Sequence, residues 1–315
     1  MSKASEDPTM LTHTPAPSSR LVEYFLIYSS NPSDGTSIGS TSANADSSNH
    51  HVAATTNDDQ SSILEVDYKL DMTFRYPMTD HFDNPFNEES IVPFVGAQCQ
   101  GSPTSSHVVY SQDEFQLPKV HHFICTGQKG QYLYGTVLTI FEPVVVGKES
   151  EGDVPVYVPK CIVLVSQYGY LLEFREFLAS LYRISTMETE IPIERYVSNF
   201  CSEISRPEPG AFSVQYTPGA FPTPLLFSSP PHNLPLTLCP RSEMLTSKDP
   251  ILTLFRVLSC ENVVEVWTAL VLERQVLFVS SSTSLLTYVC EALLSFLYPM
   301  SWSHGKYKGW SSQLK

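Results

Sequence analysis

Few side chains in this sequence stand where they could do covalent or acid–base chemistry. The nearest thing to a phosphate loop is Gly127-Gln128-Lys129-Gly130. It joins two runs of strand character and opens no helix, so no array of free N–H groups would face a phosphate, and it reads as a turn. His121 and His122 are neighbours at the start of a strand, which sends their rings to opposite faces and argues against paired metal ligation. One of them reads as a core or boundary histidine. Ser166 ends an apolar strand and precedes a helix, the setting of a nucleophile elbow. Leu164 and Tyr168 occupy the positions that would need glycine, so Ser166 reads as a cap or turn serine. His50-His51 and Asp58-Asp59 lie in a polar low-complexity stretch and read as solvated filler. Glu273-Arg274 closes a helical run, where the arginine complements the helix dipole with the glutamate as a local partner, a partner contact being the alternative. The P-loop, dinucleotide, zinc-protease and serine-hydrolase signatures are all missing. No catalytic, cofactor-binding or metal-ligating residue is assigned, and no cofactor.

Composition narrows the classes. A net charge of −14 and a pI near 5 argue against a nucleic-acid surface, which needs clustered Lys and Arg. The seven cysteines (Cys99, Cys125, Cys161, Cys201, Cys239, Cys260, Cys290) are odd in number, form no C-x-x-C pair and fall partly in apolar runs, which suits a reducing compartment. The first residues lack a signal-peptide core, and no apolar run is long enough to span a bilayer. The expectation is a cytoplasmic protein with membrane contact, if any, peripheral.

The elements that would position these residues fall into two halves. Residues 1–19 read as a disordered lead. Residues 20–28 form a strand candidate, and 29–62 a disordered insertion that cannot offset its ordering entropy. Order returns at Ile63. Val120–Thr126 and Gln131–Phe141 predict a β-hairpin; Val156–Val158 and Cys161–Val165 predict further strand, interrupted at Pro159. Tyr170–Tyr182 keeps helical spacing. The first half is thus an antiparallel sheet closed by a helix.

Residues 186–248 are a proline-rich connection, read as an extended strap lying on the following domain in preference to a free linker, because it carries Phe212, Tyr216, Phe221 and Phe227. The stretch Asp249–Trp302 is the densest apolar unit. Asp249 and Ser259 cap two helices, Val276–Val279 suits a short strand buried on both faces, and Ser282 or Thr283 caps a third helix that Pro299 stops.

Four pieces in order resemble a known family. They are Phe74-Arg75-Tyr76-Pro77; residues 120–141; residues 154–185; and Asp249–Trp302, through Leu258-Ser259, Leu272-Glu273-Arg274, Val276–Ser281 and Tyr298-Pro299-Met300-Ser301-Trp302. The chain resembles DENN-domain proteins over about 230 residues. Val92–Cys99 departs from the family's usual Phe-Cys-Phe-Pro piece, and residues 305–315 look unlike the family, which implies a C-terminally truncated member.

The resemblance implies the fold class α/β: an α+β longin-like upstream module with an antiparallel sheet over 20–185, then an incomplete α/β central DENN domain over 249–304. It implies guanine nucleotide exchange on a Rab-type small GTPase in membrane traffic. Exchange needs no nucleophile, because a protein that binds the nucleotide-free GTPase better than the loaded one must weaken the nucleotide by linkage. The alternative is a non-catalytic trafficking adaptor or truncated isoform that binds a GTPase or other partner without exchange.

Overall fold

The structure, a computed structural model, describes residues 20–32, 68–96, 101–102, 105–106, 117–128, 131–146, 154–187, 189–207, 213–217, 224–227, 249–280, 282–298, 300 and 302. The lead at 1–19, the tail at 305–315, most of the insertion, both polar pairs in it and much of the proline-rich connection lie outside the described residues.

One antiparallel sheet organises the chain, and the class is α+β. Its spatial order is β3 (Gly101–Ser102), β4 (Ser105–Ser106), β2 (Tyr68–Tyr76), β1 (Tyr24–Pro32), β7 (Val154–Ser166), β6 (Tyr132–Val146) and β5 (Lys119–Thr126). The aromatic and β-branched run Tyr24–Tyr28 thus fills the centre, where both of its edges are paired: Leu26 faces Arg75 on one side and Val163 on the other. The period of two splits the side chains between two cores. Tyr24, Leu26 and Tyr28 share one face with Val163 and Val165, under the short helix α1 (Val92–Val95). Phe25 and Leu164 share the other, under α2 (Leu171–Ser185) and α3 (Ile193–Ser198).

The predicted hairpin is β5–β6, with Phe123 opposite Gly135. A Cβ on Gly135 would sit 2.1 Å from the Phe123 ring, which is itself stacked on Phe94 with centroids 5.0 Å apart. The two expected strands around Pro159 are one strand, β7. Pro159 lies just beyond the last β1 partner, Ser29 opposite Lys160, where β7 pairs with β6 alone and a missing N–H is tolerated. The peptide bond Tyr76–Pro77 is cis.

Two expectations are corrected. The described part of the proline-rich connection forms a small hairpin, β8 (Val214–Tyr216) with β9 (Leu225–Phe227). Its described residues pack on the α2 layer of the first half. Its alternation is the reason: Leu225 and Phe227 point inward, Leu226 outward. Phe227 is fully buried against Tyr170, Phe174 and Phe200, and Phe200 stacks on Phe177 at 3.6 Å. The second correction is Val276–Val279. It is extended but unpaired with any strand among the described residues. Val276 and Phe278 lean into the third core while Leu277 and Val279 are 72% and 71% exposed. A run of four apolar residues carries no periodicity from which one-sided burial could be read.

Around that segment, α4 (Asp249–Val257), α5 (Cys260–Val271) and α6 (Thr283–Ser295) share a core built on Leu254, Val263, Leu270, Val289 and Leu293. Ser259 and Ser282 cap α5 and α6, accepting from the backbone N–H of Asn262 and Leu285. The helix ending placed at Pro299 comes earlier, at Ser295.

Candidate functional site

Of the residues weighed for chemistry, Ser166, His121 and His122 are held by contacts within the sheet and its loops. Ser166 Oγ donates to the Leu21 carbonyl at 2.7 Å and accepts from the Tyr168 N–H at 2.9 Å, a buried side-chain turn. His121 and His122 are both buried and face opposite sides of β5. His121 Nε2 donates to the Phe94 carbonyl at 2.8 Å, so the neutral ring carries its proton there, and Nδ1 has no hydrogen-bond partner among the described residues. Burial pushes its pKa down to about 4, against the hydrogen bond to Phe94, which favours the charged form. Cys161 Sγ reaches the neighbouring Val95 carbonyl at 3.7 Å, so two sheet side chains satisfy the end of α1. Among the described residues no three or more His, Cys, Asp and Glu side chains are grouped to hold a metal ion.

His122 belongs to a polar seam that joins the two halves. Among the described residues β5 is an edge strand with β6 on one side only, so its outward carbonyls need other partners. The helix α6 supplies them from one face. Ser284 Oγ donates to the Val120 carbonyl at 3.3 Å. Thr287 Oγ1 lies 2.9 Å from the His122 carbonyl and 3.0 Å from that of Thr283, so its one proton serves either. The Tyr288 hydroxyl meets His122 Nε2 at 3.0 Å, and Nδ1 of the same ring meets Thr136 Oγ1 at 3.1 Å. One turn on, the buried Glu291 accepts from Tyr134 on β6 at 3.1 Å. The spacing 284, 287, 288, 291 is a helical stripe, polar where the opposite side, with Val289 and Leu293, is apolar.

The outer surface of α4, α5 and the segment after them carries many exposed apolar side chains among its polar ones. Nine of the sixteen exposed large hydrophobic residues among those described fall between 249 and 279. Val264, Trp267 and Val271 repeat along α5, Leu252 and Phe255 lie on α4, and Leu277 and Val279 extend the surface. That concentration is denser than single scattered exposure. At its edge α5 ends with Glu273 at φ 55°. The Glu273 N–H reaches Leu270 O and the Arg274 N–H reaches Ala269 O, both at 2.9 Å, a paired C-terminal closure that usually falls to glycine. Holding a glutamate there costs on the order of 1 kcal/mol.

Two family models match, in the order expected of one protein. The uDENN domain model covers residues 71–140 and the DENN (AEX-3) domain model covers 157–305, together more than two thirds of the chain. The chain belongs to the DENN-domain family. DENN domains are in general guanine nucleotide exchange modules that act on Rab-type GTPases, and a module of that kind works through surfaces. In this DENN-domain chain the second match begins inside β7 and includes α2, the β8–β9 hairpin and the helices α4, α5 and α6. No helix among its described residues is long and apolar enough to cross a membrane.

Sequence reasoning missed the seam and the exposed face. The seam had a readable half: Ser284, Thr287, Tyr288 and Glu291 share one helical face. Its other half, the unpaired carbonyls of β5, depends on which strand ends the sheet, and spacing along the chain does not encode that. The exposed face had no signal, since inward and outward apolar residues are chemically alike.

Proposed function

We propose that this DENN-domain chain accelerates nucleotide exchange on a Rab-type small GTPase by binding the nucleotide-free form better than the loaded one. The observation that carries the reading is the ordered pair of family matches. The concentration of exposed apolar side chains between 249 and 279 supports it as a surface on which such a partner would sit. Differential affinity for two states of a partner requires contact area and no attacking group. The working location would be the cytoplasmic side of trafficking membranes, with the chain held there peripherally. The division into an upstream module over 20–185 and a central domain beginning at 249 is part of the same proposal, and the polar seam would be its joint.

The test is release of fluorescent GDP from a panel of purified Rab GTPases, with and without the chain. Faster release from at least one of them is the expected result. Unchanged release across the panel, with stable binding to a nucleotide-free member, would leave a non-catalytic binder as the correct reading.

A further inference from the structure

Phe82 is 98% exposed, the most exposed of the large hydrophobic residues described, and Met78 beside it is 79% exposed. A loop tip of this kind is ordinarily loose, but here both neighbours of Phe82 are tied down. The His81 N–H donates to the Tyr24 hydroxyl at 3.0 Å, and the His81 ring reaches the Glu23 carbonyl at 3.1 Å. The Asp83 carboxylate takes two contacts of 2.6 Å from the Arg20 guanidinium, which also reaches Glu23 at 3.1 Å. The turn itself is closed by the Asn84 N–H to the His81 carbonyl at 3.2 Å. Asn84 is held again, by Gln131 at 2.7 Å and by the Tyr24 hydroxyl on its carbonyl at 2.7 Å. On the strand side, Arg75 binds the carbonyls of Pro77 and Met78 and the Asp80 carboxylate, with its guanidinium 4.9 Å over the Phe86 ring. The aromatic ring is therefore presented at the apex of a turn whose backbone is already ordered, so a partner that takes it gains area with little ordering cost.

We propose that the turn His81–Asn84 is a fixed aromatic anchor in the GTPase interface, Phe82 seating in an apolar pocket with a cationic rim. The inference rests on the exchange reading above and adds a surface to it. Charge selects the occupant. The loop, its supports and the 3-10 turn after it carry Arg20 and Arg75 against Asp80, Asp83, Glu88 and Glu89, with Glu23 buried beneath Arg20. An excess of carboxylates repels an anionic lipid surface and favours a basic protein rim. It also discriminates between states. A loaded GTPase holds phosphates on its lysine and backbone N–H groups, whereas the emptied form leaves those positive groups uncompensated. An acidic surface therefore binds the emptied form more tightly.

The experiment measures affinity for immobilised Rab GTPases, nucleotide-free and GDP-loaded, with the full chain, Phe82→Ala, and Leu226→Ala as an exposed apolar control. Phe82→Ala is expected to weaken nucleotide-free binding about thirtyfold or more while melting like the parent, with Leu226→Ala unchanged. Equal binding by Phe82→Ala and the parent overturns the anchor and leaves the exchange reading intact. If the parent binds no GTPase, both fall. A further arm sediments the chain with phosphatidylserine-containing vesicles; Phe82-dependent sedimentation would make the turn a lipid anchor and overturn the proposal.

Discussion

The hydroxyl of Tyr288 lies 3.0 Å from Nε2 of His122, joining a helix near one end of the chain to the outermost strand of its sheet. With the carbonyl and carboxylate contacts on either side, this pair makes the junction between halves a row of directed polar bonds. Such a junction is specific in register and sensitive to the loss of a single donor.

Replacing Thr287 with valine keeps the volume and removes the hydroxyl that faces the His122 carbonyl. A loss of about 1–3 kcal/mol is expected. Hydrogen exchange should show faster opening of β5 and α6 than of the central strands. Unchanged exchange at β5 would mean the seam does not hold the edge.

Stability should depend on pH through His121. Its folded pKa, about 4, lies below the ordinary value of 6.5, so the unfolded chain binds the proton more readily. The stabilisation is therefore fully present above about pH 6.5 and drains away as pH falls toward 4, by about 3 kcal/mol in all. Asp83 acts in a lower window. Burial raises its pKa, but the hydrogen bond from Arg20 and the guanidinium charge outweigh that and hold it below 3.8, so its contribution is lost only in stronger acid. Denaturant titrations of the parent and of His121→Asn between pH 4 and pH 7 would separate the two, with the variant losing the slope above pH 4.

Gly135→Ala should destabilise by about 1–3 kcal/mol, since the new methyl meets the Phe123 ring and Phe94 blocks its retreat. A shift in the chemical-denaturation midpoint measures it. A neutral result would show that the Phe94–Phe123 stack moves as a unit.

Phe227→Ala should cost about 3–5 kcal/mol, as expected for a fully buried aromatic. The size of the effect matters because Phe227 lies in a segment dense in proline. A loss below about 1 kcal/mol, in the range of surface substitutions, would return that segment to the status of a linker.

What the sequence made legible was local. Ser259 and Ser282 announce their helices because a cap is written within three residues of the N–H it serves. The β5–β6 hairpin is readable because strand, glycine turn and strand follow one another. Long-range facts were not. Pro159 looked like a break because the rule against proline applies where both edges of a strand are paired, and the position at which β1 stops is set far away in the chain. Val276–Val279 looked doubly buried because four apolar residues cannot say which of them will face water. Phe82 gave no sign at all, since an aromatic residue in a loop is usually tucked in. Its exposure follows from the anchoring of His81 and Asp83, contacts made with Tyr24 at the start of β1 and with Glu23 and Arg20 just before it.

The position of β1 at the middle of the sheet has a consequence for synthesis on the ribosome. Tyr24 emerges before its partner Val165, which follows only after the whole of β2, β5 and β6. At about 5–20 residues per second this central strand waits on the order of 10 s with one of its two neighbours still unmade. Through that interval the nascent chain exposes a sticky half-sheet, and a chaperone or the translation rate itself becomes a determinant of yield.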